Sequence, residues 1–411
     1  MKIYRIISMV LAALLYTSCA IEEENLFKES SATRINKAIL ETRDILAKAP
    51  NGWHASYFPS PTQAYGGFNL LLSFTNDGKM TAMSEIDPTK KVTSEYTTYQ
   101  SAGVILSMNG YNDVIQYFTS PVNPDGIGKK GYGMEGEMEF RVMELTPNRI
   151  VLSGKKYGAK VVLTPLKEGE DWTQHLEMVR KAIKDMAFSV YEYKAGNTTA
   201  KVVISNRNLQ MTYQEEGNQV TKSFPYMPTA NGFRLYKSIN IGNIETSELI
   251  YSFKEDHLFT STNGATLQGL IIPLNEGIQA GTWDLQTSGM SEKMRVLLDQ
   301  ANAILTEQEG EVLSGYRFSN GIQFLVSSGR YLCTFWITMQ KVSDTGIQIT
   351  FDPQIKDGNA RYYLRYKQFA DFIKALGGKF ELSTEDSPRF PRNIKLISVT
   401  DPDIYFTVKA R

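Results

Sequence analysis

The sequence predicts an α+β protein of mostly antiparallel β-sheet, in meanders that form barrel- or sandwich-like units. Amphipathic helices are packed between or on the sheets. Three observations predict it. Runs rich in Val, Ile, Tyr, Phe and Thr follow one another through short turns, as in "GEMEFRVMELTPNRIVLSGKKYGAKVVLTPL", and short turns join antiparallel rather than parallel strands. Helical patterns recur between groups of strands, not after every strand, which argues against a βαβ arrangement. Tyr and Phe number 22 and 20 among 411 residues, and both suit a half-buried pleated surface.

The chain begins "MKIYRIISMVLAALLYTSC", with Lys2 and Arg5 ahead of an apolar run from Ile6 to Leu15. That run is about half the roughly 20 residues a spanning helix needs, so residues 1–18 read as a removable export signal. Small residues directly before Cys19 resemble the lipobox of bacterial lipoproteins, with Tyr16 standing where leucine is usual. The Cys19 thiol is then the lipidation site, and acyl chains hold the protein at a membrane. Residues 19–28 form an acidic tether. Its run Glu22, Glu23 and Glu24 resembles the surface-export signal of Bacteroidota lipoproteins, which gives an outer-membrane address facing the cell exterior.

Removing the leader takes Lys2 and Arg5 with it, so 42 of the 44 basic residues remain against 44 acidic ones. That balance gives no basic footprint for nucleic acid. Loss of Cys19 to lipid leaves Cys333 without a disulfide partner, in the apolar run "RYLCTFWITM", where it reads as a buried side chain.

Three loosely repeated units follow, each a helix and then strands: 29–168, 169–285 and 286–411. In "SSATRINKAILETRDILAKAPNG", Ile35, Ala38, Ile39, Thr42, Ile45, Leu46 and Ala49 share one helical face, with Ser30 or Ser31 as cap and Pro50-Asn51-Gly52 as stop. "FNLLLSFTNDGKMTAMSE" predicts a hairpin turning at Asn76-Asp77-Gly78. "SEYTTYQ", "GVILSM" and "NDVIQYF" read as strands, and a three-strand meander completes the unit. "DWTQHLEMVRKAIKDMA" opens the second unit as a helix with Asp171 and Gln174 placed for a capping box. "SEKMRVLLDQANAILTEQ" opens the third, and "YKQFADFIKALGG" predicts a short helix before the closing strands.

"NGW" after the first helix, "YGGFN" leading into the hairpin, and "GKK" ahead of "VLTPL" together resemble the Bacteroidota surface lipoproteins grouped as domain of unknown function 4302. The resemblance is tightest from about residue 25 to 170. It implies a cell-surface lipoprotein, often encoded near a TonB-dependent transporter and its partner binding lipoprotein, a context that suggests nutrient capture, and it carries no catalytic residues over to this chain.

Sites of chemistry are few. "GIGKKG", Gly126 to Gly131, matches the spacing of a dinucleotide loop but opens no helix, so it reads as a glycine-rich connection. His54, His175 and His257 are far apart, and the sequence predicts no metal site and no cofactor. Turn chemistry accounts for Asn123 to Asp125 and Asp401 to Asp403, although such oxygen-rich turns also suit calcium. No catalytic residues are assigned. Aromatic residues with a polar rim suit a glycan, which nominates Trp283, Tyr362, Tyr363 and Tyr366, the tyrosines lying beside Arg361 and Arg365. The reading is a non-catalytic binding or accessory component of a nutrient-uptake system, its ligand a glycan or peptide. A surface hydrolase is the alternative if two carboxylates share a cleft at glycosidase separation. A purely structural partner in an outer-membrane complex is the other.

Overall fold

A computed structural model describes residues 29–254 and 256–411. Cys19 and the run Glu22, Glu23 and Glu24 lie outside the described residues. Helix α1 (Ser31–Lys48) starts at Ser30, whose side chain accepts the Thr33 N–H. It buries Thr42 and Leu46, and the Trp53 indole donates to Leu46 O at 2.9 Å, pinning the helix to the first strand.

The first barrel comprises β1 (Trp53–Phe58), β2 (Phe68–Phe74), β3 (Lys79–Ser84), β4 (Asp87–Ser101), β5 (Gly103–Asn109), β6 (Glu139–Thr146), β7 (Arg149–Gly154) and β8 (Lys160–Pro165), with helix α2 (Asp113–Thr119) between β5 and β6. Each strand pairs antiparallel with the next, and β8 returns to β1 in a register that sets Ala55 opposite Leu163. Closure removes the sheet edges that an open meander would expose. Alternate side chains, among them Trp53, Ala55 and Tyr57, Leu70, Leu72 and Phe74, form the core.

The stretch "NDVIQYF", expected as a strand, is helix α2. Asn112 caps it by accepting the Val114 and Ile115 N–H groups, and Val114, Ile115, Tyr117 and Phe118 are buried. Their i, i+1, i+3, i+4 spacing is helical, but seven residues are too few for periodicity to outvote β-branched and aromatic composition.

Helix α3 (Trp172–Asp185) leads to the second barrel, and Asp171 caps it through the Gln174 N–H. This barrel comprises β9 (Val190–Ala195), β10 (Thr198–Ser205), β11 (Asn208–Glu215), β12 (Asn218–Thr229), β13 (Gly232–Ile241), β14 (Ile244–Tyr251), β15 (Leu258–Thr260) and β16 (Thr266–Leu270), and β16 closes on β9. The third barrel follows helix α4 (Leu274–Ala280) and contains β17 (Trp283–Gln286), helix α5 (Glu292–Glu309), β18 (Leu313–Phe318), β19 (Gly321–Val326), β20 (Leu332–Lys341), β21 (Gly346–Phe351), helices α6 (Gly358–Tyr363) and α7 (Lys367–Ala375), then β22 (Gly378–Ser383), β23 (Asn393–Ser398) and β24 (Tyr405–Ala410). Strand β17 pairs with β24, so a division after residue 285 falls within a strand of this barrel.

Two of the quoted sequence signatures build the joint around the first barrel. Asn51 of "NGW" donates to Lys167 O and Glu170 O, both at 2.8 Å, and accepts the Trp172 indole N–H on its own carbonyl at 2.9 Å. "YGGFN" supplies the contact with the second barrel. The Arg207 guanidinium stacks 3.9 Å over the Phe68 ring, donates to Gly67 O at 2.7 Å, and pairs with the buried Glu85 carboxylate. Asn69 donates to Glu85 and, at 2.8 Å, to Pro228 O on β12. Gly66 sits at φ +61°, and a Cβ there would meet Arg207 Cβ at 2.4 Å, so the backbones meet where no side chain fits. A buried ion pair whose partners have further hydrogen bonds fixes geometry more than it adds stability.

Candidate functional site

A cleft lies on the first barrel, between the segment 120–138 that follows α2 and the turn between β7 and β8. Its volume is about 640 Å³, and Tyr132, Glu137, Glu139, Lys155, Lys156 and Tyr157 line it. "GIGKKG" lies in this segment and opens no helix; Lys129 N–H donates back to Gly133 O at 3.0 Å. Gly136 N–H donates to Phe118 O at 3.0 Å and Glu137 N–H to the Tyr57 hydroxyl at 3.0 Å, so the segment is fastened to the barrel end.

Glu137 joins the two walls. Its carboxylate is buried and accepts the backbone N–H groups of Lys156 at 2.5 Å, Tyr157 at 2.8 Å and Ala159 at 3.1 Å. A buried carboxylate needs such donors to remain in place. Gly154, the glycine of the "GKK" signature, leaves room for it, since a Cβ there would lie 1.7 Å from Glu137 Oε1. The signature thus records the approach of this turn to a carboxylate 17 positions earlier.

Beside it, Glu139 accepts from Lys155 Nζ at 3.0 Å and from the Tyr99 hydroxyl, and Lys155 also donates to that hydroxyl at 2.8 Å. The Tyr99 hydroxyl first, then Lys155, hold the Glu139 carboxyl below the usual carboxylate range. Lys156 is exposed and places its ammonium 4.5 Å from the centroid of the Tyr157 ring. The Tyr157 side chain is the chief cause that raises the Lys156 ammonium above its ordinary value. Tyr132 is 60% exposed on the opposing segment.

The nominated aromatics sit elsewhere. Trp283 is in the core of the third barrel and its indole donates to Ile278 O at 3.1 Å. Tyr363 is also buried, against Phe369. Tyr362 and Tyr366 come together with Arg365 around Glu309: Tyr362 Oη and Arg365 Nη2 each donate to Glu309 Oε1 at 2.8 Å, and Tyr366 donates to the same oxygen. The guanidinium stacks 3.7 Å over Tyr362. These contacts tie α6 and the start of α7 to the end of α5. The cleft residues on the first barrel were not nominated from sequence. The available signal was the spacing Glu135, Glu137, Glu139 leading into β6, followed by Lys155, Lys156 and Tyr157 in one turn.

Other candidate sites resolve into structural contacts. Among the described residues no three His, Cys, Asp or Glu side chains group to hold a metal. Asn123 Oδ1 accepts the Asp125 and Ile127 N–H groups at 2.9 and 3.2 Å, Asp125 accepts from the Tyr117 hydroxyl at 2.8 Å, and Asp401 pairs with Lys293. Cys333 is free and buried, and burial pushes its thiol up to about 12. His54 Nε2 donates to Asn69 Oδ1, 2.8 Å away, and its ring lies 5.7 Å from that of His175.

The fold and cleft define a chain of three closed antiparallel barrels with a cleft on the first that is lined by tyrosines and charged side chains. Residues 23–253 match the family described as "Domain of unknown function (DUF4302)", and the chain belongs to that family. The matched segment runs through the first barrel, the joint and the second barrel as far as the end of β14. Solved structures that align include the DNA polymerase III beta subunit of Thermotoga maritima (11% identity, 90% of this chain and 96% of that one, TM-score 0.12). The DNA polymerase III beta chain of Streptococcus pneumoniae (12% identity, 91% and 97%, TM-score 0.12) and the sliding clamp of Caulobacter crescentus (11% identity, 91% and 97%, TM-score 0.12) align similarly. At such scores these alignments carry no argument. No curated protein matches the chain.

Proposed function

We propose that this protein is a Bacteroidota outer-membrane lipoprotein, anchored through acyl chains on Cys19 and routed to the cell exterior by Glu22, Glu23 and Glu24. There it binds a ligand without transforming it, as an accessory component of a TonB-dependent nutrient-uptake system. The observation that carries the binding half is the cleft of about 640 Å³ on the first barrel, within the size range of small-molecule sites. The lipobox-like start and the family resemblance, tightest from about residue 25 to 170, support the address and the partner.

Two carboxylates, Glu137 and Glu139, line this cleft, which meets one part of what a hydrolase would require. Their bonding favours binding instead. Glycoside hydrolysis needs one carboxyl kept protonated as an acid and a second left free as base or nucleophile. Glu137 has both oxygens occupied by backbone N–H groups, and Glu139 is held in its charged form by Tyr99 and Lys155.

The test is a mild-detergent pull-down of the tagged full-length protein from native outer membranes, alongside metabolic labelling with radioactive palmitate. The expected result is stoichiometric recovery of a TonB-dependent transporter, and label that disappears in Cys19→Ala. Recovery of the protein alone overturns the accessory role, and label retained in Cys19→Ala overturns the anchor.

A further inference from the structure

Resting on the reading of the first-barrel cleft as a binding site, we propose that its ligand is an acidic saccharide: a sugar ring stacked on Tyr132 and Tyr157, with an anionic substituent paired to Lys156. Three features of the cleft point there together. Lys156 is exposed, is contacted by the Tyr157 ring at 4.5 Å, and makes no ion pair among the described residues, so one ammonium at the cleft wall is available. Tyr132 is 60% exposed on the facing segment although its own backbone is fixed by a hydrogen bond from Tyr132 N–H to Lys129 O at 2.9 Å. Tyrosine presents a flat apolar face with a polar rim, which matches the apolar face and hydroxyl edge of a pyranose ring. Next to the Lys156 ammonium, Lys155 donates to Glu139 and to the Tyr99 hydroxyl at 3.0 and 2.8 Å.

That set decides between ligand classes. A lysine and a carboxylate side by side offer donor and acceptor to vicinal hydroxyls. A polyphosphate would meet the Glu139 carboxylate as a like charge, and an apolar ligand would desolvate Glu139 and Lys155 with nothing in return. One negative charge among hydroxyls satisfies Lys156 and leaves the Glu139–Lys155 pair in place. The anionic group is a ring carboxylate or a sulfate ester, which present the same charge to the ammonium.

The experiment is isothermal titration of the full-length protein in detergent with oligogalacturonate, a sulfated galactan oligosaccharide and a neutral galactan oligosaccharide of equal length. At least one acidic probe is expected to bind, more weakly as salt rises, and the neutral probe about tenfold more weakly or not at all. Comparing the two acidic probes identifies the anionic group. Lys156→Met and Tyr132→Ala, both at exposed positions, are each expected to lower affinity for the acidic probe about tenfold with an unchanged melting curve. Equal binding of the neutral probe, lost in Tyr132→Ala, overturns the acidic assignment and keeps the cleft as a site. Full affinity in Lys156→Met overturns the pairing with that residue. No binding of any probe overturns the saccharide assignment, and transporter recovery in the pull-down then judges the accessory role separately.

Discussion

At the end of the first barrel, Tyr132, Tyr157, Lys155, Lys156 and Glu139 surround a cleft; at the end of α5 in the third, Tyr362, Tyr366, Arg365 and Glu309 surround one another. The inventories are nearly the same: aromatic rings, cations and one carboxylate. In the third barrel both hydroxyls and the guanidinium converge on Glu309 Oε1, so the cluster satisfies itself and staples helices. In the first, Glu137 takes over the work of holding the walls, and Lys156 and Tyr132 remain available. Residue type alone does not separate a staple from a site. What separates them is whether the polar groups already have partners.

The largest effect should come from removing the group that holds the cleft open. Glu137→Ala strands three N–H donors, that of Ala159 buried and those of Lys156 and Tyr157 part-buried, at roughly 1 to 3 kcal/mol for each that water cannot reach. Urea unfolding should show a loss of about 4 kcal/mol in the first-barrel transition, with the cleft's ligand affinity lost as well. Gly154→Ala, whose Cβ would overlap Glu137 Oε1, should weaken the same contact by about 2 kcal/mol. If either variant melts like the wild type, the wall contact does not organise the cleft.

Arg207→Met tests the joint beneath that barrel. It leaves the buried Glu85 carboxylate with Asn69 but without its cation, and breaking one side of such a pair costs about 3 kcal/mol. Limited proteolysis should then cut between the first two barrels faster than in the wild type. Unchanged cleavage would mean that the barrels are held together elsewhere.

The local elements were largely legible in the sequence. The "NDG" turn, the Ser30 and Asp171 caps and the meander from β6 to β8 each depend on a few neighbouring residues whose chemistry is local. Closure of the barrels was legible only as one of two outcomes, because the β1 to β8 pairing joins strands more than 100 positions apart and has no local signal. The signatures that carried the family resemblance turn out to encode long-range contacts: Gly154 records the nearness of Glu137, and Gly66 that of Arg207. A glycine shows that something approaches, but not what. For the same reason the aromatic candidates pointed at the third barrel, where tyrosines are dense in sequence, whereas the cleft is assembled from a loop and a turn about 20 positions apart.

Acidity should separate the barrels further. Burial, opposed by the hydrogen bond to Asn69, holds the His54 imidazole down at about 4, against an ordinary value near 6.5. Between those values the unfolded chain takes up a proton that the folded one refuses, so stability falls as pH drops through this window. The expected loss is about 1 to 2 kcal/mol between pH 7 and pH 5 in the first-barrel transition, and His54→Gln should flatten it. The third barrel contains no histidine, so this term is missing from its transition. Equal slopes in wild type and His54→Gln would place the pH dependence elsewhere.

The smallest effect should come from Glu309→Gln, and it tests the comparison most directly. The substitution keeps an oxygen acceptor but removes the charge that Arg365, Tyr362 and Tyr366 share. The Glu309 carboxyl is held below its ordinary range chiefly by the Tyr366 and Tyr362 hydroxyls, yet the cluster lies near the surface, where an ion pair contributes about 0.5 to 1 kcal/mol. Thermal melting should therefore fall by only a degree or two, with the saccharide affinity of the full-length protein unchanged. In this cluster both tyrosine hydroxyls and Arg365 Nη2 are already committed to the Glu309 carboxylate, so freeing Tyr362 and Arg365 loosens a staple. If Glu309→Gln lowered saccharide affinity as much as Lys156→Met, the two clusters would be working as one binding surface, and the contrast between them would fail.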